Sequence, residues 1–171
     1  MSGDFHIEGV EEFLASINLA DAAVQRGLKR GMGKAVNALL ADCVMQVPMV
    51  PLDLGTLRGS GSAFVGRELA GTGPPAAEPG ASPTPETTSP PFPSVLSGAV
   101  VGQVGFNTPY AAHLHEHPEY EFGHTREKRG RPPVTGTGGK YLETPMVSNR
   151  KKYLGIIAKD IKKELNNGKT G

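Results

Sequence analysis

The 171-residue chain has no tryptophan, one cysteine and few aromatic residues. One thiol cannot form an internal disulfide. Cys43 also lies on the apolar side of a helical pattern, so we expect a buried core residue rather than a reactive thiol. Because there is only one thiol, a fold held together by internal disulfides is excluded. Scarce aromatic rings disfavour a site that stacks bases or sugars.

Long apolar runs are also missing. No stretch approaches the roughly 20 apolar residues that a membrane span requires. The N-terminus lacks the basic region and apolar run of a secretory signal. The formal net charge is +1, so the whole molecule is not a polycation. We expect a soluble protein made in the cytoplasm, with no membrane partner and a single domain spanning 1–171.

Proline is plentiful and unevenly placed. Eight of the 15 prolines fall within 71–94. Because proline lacks an N–H donor and fixes its own torsion, this stretch predicts an extended insertion of polyproline character. Two roles stay open for it: a solvated surface loop, or an arm lying on a partner subunit. A polar and basic loop is predicted at 118–139, and a flexible tail at 167–171.

Helical periodicity predicts a short amphipathic segment at 10–17 and a long helix from about 22 to 47. Gly27, Gly31 and Gly33 weaken this helix. The interpretation favoured here is a weak or bent first half; the alternative is close packing against a neighbouring subunit.

Further along, the pattern predicts strands at 60–69 and 99–106. It also predicts a short helix that Thr108 caps and that runs from Pro109 to Glu116. A short strand is expected at 140–142. Thr144 as N-cap and Pro145 in the first turn open the last helix, whose apolar stripe includes Val147. The fold class is α+β: a long N-terminal helix and a C-terminal helix packed on a small antiparallel sheet, with a long Pro-rich insertion.

Histidines at 113, 115 and 117 form the one cluster that suggests metal chemistry. On a helix, His113 and His117 would share a face at a spacing that can hold zinc. However, leucine follows His113 where metalloproteases have glutamate, and Pro118 pushes His117 out of helical geometry. We expect a helix end with partly exposed histidines, and no metal, cofactor or catalytic residue. A metal-dependent or nucleic-acid-processing enzyme using these histidines is the alternative.

Two other motifs have structural interpretations. Residues 136–139 resemble a phosphate loop only in part, since the first glycine is missing and tyrosine follows Lys140; a flexible glycine loop is expected. Asp53 and Arg58 are expected to form a buried pair that locks a turn, or a pair across subunits.

Basic residues concentrate in the last third of the chain. Such clusters suit phosphate contact without base reading. A solvated loop and a solvated helix face are the simpler interpretation. A standalone DNA-binding module is a further alternative.

Three segments occur in order along the chain: VPLDLGTLRGS at 50–60, VGFNTPYAAHLHE at 104–116 and GKYLETP at 139–145. Together they resemble the neck, tail-completion or minor capsid proteins of tailed bacteriophages. That family has a VP-x-D-T-G-x-L-R-x-S turn, a Y-A-x-x-x-H-E segment and a K-x-L-x-x-P entry to the last helix. The chain departs from it at Leu54, where threonine is usual, and in its longer insertion.

The resemblance implies a virion structural protein at the head-to-tail junction, forming a homo-oligomeric and typically hexameric ring around the DNA channel. The implied partners are other neck proteins, on the portal, adaptor or stopper side and on the tail-tube or terminator side, and passing DNA bound without sequence specificity. The implied fold or interface anchors are Pro51, Asp53, Gly55, Leu57, Arg58, Tyr110, His113, Glu116, Lys140, Leu142 and Pro145. The basic residues expected to face DNA or partners are Arg126, Lys128, Arg129, Arg131, Lys151 and Lys152.

Overall fold

The computed structural model describes residues 22–75, 90 and 99–167. The amphipathic segment predicted at 10–17, most of the 71–94 insertion and all but the first residue of the 167–171 tail lie outside this part. The helices described are α1 (Ala22–Met45), α2 (Thr56–Gly59), α3 (Ala111–Glu116), α4 (His124–Lys128), α5 (Glu143–Ser148) and α6 (Arg150–Asn167). The strands are β1 (Gly61–Val65), β2 (Glu68–Thr72) and β3 (Gly102–Phe106).

The α+β class is confirmed: a long N-terminal helix, a C-terminal helix and a three-stranded antiparallel sheet make up the described fold. Helix α1 forms because its apolar residues recur every three to four positions, and it ends just before Pro48. The predicted long helix is therefore confirmed to within two residues. No helix in the described ranges has the length and apolarity to cross a membrane.

The sheet has the order β2-β1-β3, with both pairings antiparallel. The predicted strand at 60–69 was wrong in extent, since two strands and a tight turn occupy this region. Gly66 has a φ of 59°, and with Arg67 it turns the chain so that Val65 pairs with Glu68. The strand predicted at 99–106 is present, and shorter, as β3.

Helix α1 has core on two sides. Towards the sheet, Val36 and Leu40 pack against Ala63 and Val65 of β1. Towards α6 lies a larger cluster that includes the fully buried Cys43. Burial raises the pKa of the Cys43 thiol to about 12, which agrees with the predicted core role.

Helix α6 crosses α1 very closely. A Cβ on Gly27 would lie 2.6 Å from Ile161 Cα, and one on Gly31 would lie 2.8 Å from Ile157 Cα. These glycines therefore serve contact between two helices of the same chain. The interpretation that these glycines merely weaken the helix was therefore wrong for Gly27 and Gly31. Gly33 is different, because a Cβ there would meet nothing closer than 3.9 Å.

The last helix differs from its prediction. It forms two pieces, because Asn149 separates α5 from α6, and Leu142 rather than Thr144 stands at the N-cap. Val147 was expected in the apolar stripe but is 66% exposed. The strand predicted at 140–142 was also wrong: Lys140 has a φ of 55°, which does not fit an extended strand.

Candidate functional site

The segment at 50–60 forms a compact turn between α1 and β1. Gly55, with a φ of 93°, stands before α2 in the left-handed region, which explains the glycine. Val50 N–H donates to Cys43 O at 2.8 Å, and Arg58 Nε donates to Val50 O at 2.9 Å. Leu57 is buried beneath the turn. Arg58 thus anchors the turn through a backbone oxygen.

The segment at 104–116 meets this turn from the other side of β1. Asn107 N–H donates to Ser60 O at 3.2 Å, and Ala111 at the start of α3 belongs to the same buried cluster as Val50 and Leu57. The predicted short helix is confirmed as α3. Its expected Thr108 cap was wrong: α3 has no side-chain cap bond, and only the carbonyl of Thr108 accepts from Ala111 N–H.

The segment at 139–145 closes the arrangement through Tyr141, which is 2% exposed. Its hydroxyl donates to Ala111 O at 2.8 Å, and its ring packs edge-on against Phe106 and His115 at centroid distances of 5.4 and 5.0 Å. Burial, first of all, raises the pKa of Tyr141. The three segments therefore meet in one buried joint around this ring, which we call the Tyr141 joint.

Polar contacts close the rim of the Tyr141 joint. Lys140 N–H donates to His115 O at 2.7 Å, and its ammonium bonds to Glu116 and lies 3.1 Å from Glu143. The bond to Glu116 is the main reason that the pKa of Lys140 is raised, and the same bond lowers the pKa of Glu116. Both pKa shifts favour the charged pair. The positive φ of Lys140 costs on the order of 1 kcal/mol, which these contacts offset.

The glycine-rich loop is held in place rather than free. Met49 N–H donates to Gly136 O at 2.7 Å, and Gly138 N–H donates to Met49 O at 3.0 Å. A Cβ on Gly139 would lie 2.7 Å from Pro118 N. The loop's glycines therefore permit close approach to neighbouring backbone, and the expected flexible loop was wrong.

Asp53 and Arg58 do not form the predicted pair. Asp53 Oδ1 lies 3.4 Å from Arg129 Nε, an ion-pair distance without a hydrogen bond. Arg58 Nη2 is buried without a hydrogen-bond partner in the described part of the chain. Burial, and then the neighbouring Arg126, lower the pKa of Arg58. Asp53 is instead tied to the polar loop at 118–139.

Within that loop, one residue of the basic cluster, Arg126, is turned inward. Arg126 is 7% exposed and donates from Nη1 to Asp53 O at 2.7 Å and from Nε to Pro132 O at 3.0 Å. Arg131 is half-buried. The prediction that Arg126 faces DNA or a partner was therefore wrong, because its guanidinium holds the loop against the turn. Lys128 and Arg129 remain exposed, the latter beside Asp53.

The histidines form a surface cluster of rings. The rings of His113 and His117 lie 4.5 Å apart. Tyr120 stacks on His117, and its Oη lies 3.2 Å from His113 Nε2, within hydrogen-bond distance. His115 departs from the expectation of exposure, being 7% exposed within the Tyr141 joint. In the described ranges, no group of three His, Cys, Asp or Glu side chains could hold a metal ion.

The remaining predicted anchors occupy different positions. Pro145 is buried and its carbonyl accepts from Tyr153 Oη at 3.2 Å, whereas Tyr110 is 44% exposed. Pro51 and Leu142 are half-buried beside the joint. Lys151 is exposed on α6, and Lys152 donates to Asp42 at 2.7 Å.

Sequence reasoning missed three buried acids at the contact between α1 and α6. Asp42 accepts from Lys152 and from Tyr153 Oη at 2.7 Å, Asp160 pairs with Lys34 at 2.7 Å, and Glu164 pairs with Arg30 at 2.8 Å. The available signal was spacing, because Asp160 and Glu164 lie four residues apart, as do Arg30 and Lys34. Antiparallel packing then brings the two rows together.

Comparison with known proteins adds no relative: no family model, curated protein or solved structure matches this chain.

Proposed function

We propose that this chain is a virion structural protein of a tailed phage, a ring-forming subunit at the head-to-tail junction. One observation carries the proposal. The three segments that resemble neck proteins are separated by more than 40 and more than 20 residues in the sequence, yet they meet in the Tyr141 joint. A pattern whose separate parts build one buried structural unit is better explained by a shared fold than by chance.

The chemistry of the joint also suits a structural role. The hydroxyl of Tyr141 bonds to a carbonyl oxygen, the carboxylate of Glu116 pairs with Lys140, and His115 is buried against the Tyr141 ring. The polar atoms of these groups bond to other groups of the joint. These contacts stabilise the connection between α1, the sheet and α5.

In this proposal the ring is homo-oligomeric and hexameric, with other neck proteins above and below it and genomic DNA passing through. The 71–94 insertion and the 118–139 loop contact adjacent subunits or adjoining ring proteins. The loop suits this role because Arg126 fixes its base while Tyr120 and Lys128 stay exposed at its surface.

The decisive experiment disrupts the gene in the phage that encodes this chain and complements it in trans. We expect lysates of separate heads and tails by electron microscopy, with joining restored by the wild-type chain. Gly55→Val should fail to complement, because a β-branched residue at a φ of 93° strains the turn. Gly33→Ala, where an added Cβ would meet nothing closer than 3.9 Å, is the matched control and should complement.

Sedimentation of the purified chain provides a second test. We expect a species with the sedimentation coefficient of a ring, and its fraction of the total protein should increase with protein concentration. A chain that remains monomeric at all concentrations and in the virion, or normal joined particles without the gene, would contradict the proposal.

A further inference from the structure

The outer face of α6 is unusually basic. With 100° between successive residues, five lysines fall within an arc of about 120° around the helix. We call this surface the lysine face, and it comprises Lys151, Lys152, Lys159, Lys162 and Lys163, together with Gly155 and Asn166. It contains no carboxylate, and all seven residues are exposed. From Lys151 to Lys163 it extends about 18 Å.

The positive charge of the lysine face is not neutralised by the acids of the described ranges. Every carboxylate in the described ranges already lies within ion-pair distance of a lysine, arginine or histidine. These acids are Asp42, Asp53, Glu68, Glu116, Glu119, Glu121, Glu127, Glu143, Asp160 and Glu164. Only Lys152 of the lysine face takes part in these described pairs, with Asp42. The other four lysines have no ion pair within the described ranges, so no acid described there competes with an external anion for them.

Gly155 is a second and independent sign of an external partner. It lies near the middle of the lysine face, where glycine costs about 1 kcal/mol relative to alanine. At Gly27 and Gly31 a Cβ would strike the neighbouring helix, but a Cβ on Gly155 would meet nothing within 4 Å. Nothing nearby in the described part of the chain requires this glycine. A missing side chain among long lysines leaves room for a partner's backbone to approach the helix closely.

The composition of this surface distinguishes between classes of partner. Protein interfaces are depleted of lysine at their centres and enriched in aromatic and apolar side chains. The lysine face offers only lysine, glycine and asparagine. It also lacks the aromatic rings on which single-stranded bases stack. Point charges without base-reading groups fit the phosphates of a duplex, which carries about ten charges over 18 Å.

We propose that the lysine face of α6 binds the phosphate backbone of double-stranded DNA without sequence specificity, with Gly155 as the point of closest approach. The inference deepens the proposed function and rests on it for the biological source of the DNA. It confines the DNA-facing surface to α6, where Lys151 and Lys152 were already expected, and it adds Lys159, Lys162 and Lys163.

The test uses the full-length chain, a fluorescent 30-base-pair duplex of arbitrary sequence and anisotropy titrations from 50 to 200 mM NaCl. Replacing both Lys159 and Lys162 by glutamine removes two phosphate contacts. The slope of log K against log salt should then become shallower by about 1.8, and the affinity at 0.1 M salt should fall about 60-fold.

The matched control is Arg67→Gln with Lys29→Gln, which removes the same charge from two exposed cations that lie outside α6 and outside the loop at 118–139. Its slope should equal the wild-type slope. Equal losses in the two double variants would overturn the proposal, because they would show a response to net charge alone. Circular dichroism verifies folding of each variant.

Gly155→Gln examines close approach at constant charge. We expect severalfold weaker binding with an unchanged or higher melting temperature; unchanged binding contradicts the role of Gly155. Polyglutamate serves as an acidic-protein mimic. If polyglutamate binds as tightly as the duplex, and if its binding depends equally on the lysines of α6, the partner is an acidic protein and the proposal of DNA binding is wrong.

These outcomes are separable from those of the proposed function. If the chain complements head–tail joining normally but α6 binds no DNA, the structural role stands and the proposal that the lysine face binds DNA is overturned. The predicted salt slopes with no effect of gene disruption on joining would do the reverse.

Discussion

At the scale of single residues, two glycines two positions apart on α1 have opposite roles. A Cβ on Gly31 would overlap the Ile157 backbone, whereas one on Gly33 would be in ordinary contact range of Val65. We expect Gly31→Ala to lower the free energy of unfolding by about 1–3 kcal/mol, since backbone must move. Gly33→Ala should raise it by up to about 1 kcal/mol.

Urea unfolding followed by circular dichroism measures both changes. Equal effects of the two substitutions would show that the close crossing of α1 and α6 is not as described.

The two histidines of α3 form a second residue-scale contrast. His115 is buried against Tyr141, and its Nε2 accepts from Glu143 N–H at 3.4 Å. His115→Ala should therefore cost about 1–3 kcal/mol of stability, through lost packing and an unpaired donor. His113→Ala, at an exposed position of the same helix, should stay within about 0.5 kcal/mol of wild type.

Thermal and urea unfolding at neutral pH measure both histidine variants. A neutral His115→Ala would mean that the Tyr141 joint does not need this ring.

At the scale of elements, ion pairs of unequal value connect α1 to α6 and to β2. Lys34 pairs at 2.7 Å with Asp160, whose side chain is 5% exposed, and Lys29 pairs at 2.7 Å with Glu68, whose side chain is 70% exposed. Asp160 Oδ2 has no hydrogen bond in the described ranges. Removing Lys34 leaves the buried carboxylate of Asp160 poorly compensated. Removing Lys29 leaves the carboxylate of Glu68 in water, where it is already mostly exposed.

Lys34→Met should therefore destabilise the chain by about 1–2 kcal/mol, and Lys29→Met by less than about 0.5 kcal/mol. Chemical denaturation at 0.1 M and 1 M salt compares them. Loss of the Lys34 effect at high salt would indicate a screened surface pair instead of a buried one.

Helix α4 gives a prediction about pH. His124 lies between Glu121, at 2.8 Å, and Glu127, at 3.3 Å. The hydrogen bond to Glu121, followed by that to Glu127, raises the pKa of His124 above 6.5. A raised folded-state pKa means that the contribution to stability is complete below the unfolded pKa and is lost as pH rises through the folded one.

An NMR titration of the imidazole measures this pKa directly. We expect Glu121→Gln to lower the pKa of His124 more than Glu127→Gln does. The reverse order would mean that α4 holds the ring differently.

At the scale of the whole molecule, the insertion is separable from the sheet. Residues Gly71 and Thr72 belong to β2, and Gly73 N–H donates to Gly61 O at 2.7 Å. A deletion that spares β2 therefore removes only 76–89. We expect a melting temperature close to wild type, and fewer joined particles in the complementation assay if the insertion is an arm.

A matched variant replaces 76–89 by a Gly/Ser linker of equal length, which keeps the reach and removes the proline character. Joining restored by this linker would assign the segment a role as spacer, and unchanged yields with the deletion would contradict the arm.

Much of the fold followed from local patterns. Apolar spacing predicted α1, a proline start predicted α3, an apolar face predicted β3, and Cys43 was correctly assigned to the core. These predictions succeed because helical and strand periodicity depend on neighbouring residues. The extent of β1 was predicted wrongly because the local turn at Gly66 was missed. The break at Asn149 and the conformation of Lys140 were missed because contacts with residues distant in the sequence accompany them, from Asn149 to Asp42 and from Lys140 to His115.

By itself, the sequence determined the α+β class, the long helix and the order of the three segments that resemble neck proteins. Only the tertiary structure decided what those segments do: they meet around Tyr141, and Asp53 turns to Arg129 instead of Arg58. It also turned Arg126 inward and left the lysine face of α6 outward. The physical reason is that burial and charge pairing arise between residues far apart in the chain, whereas periodicity records only which side of one element is apolar.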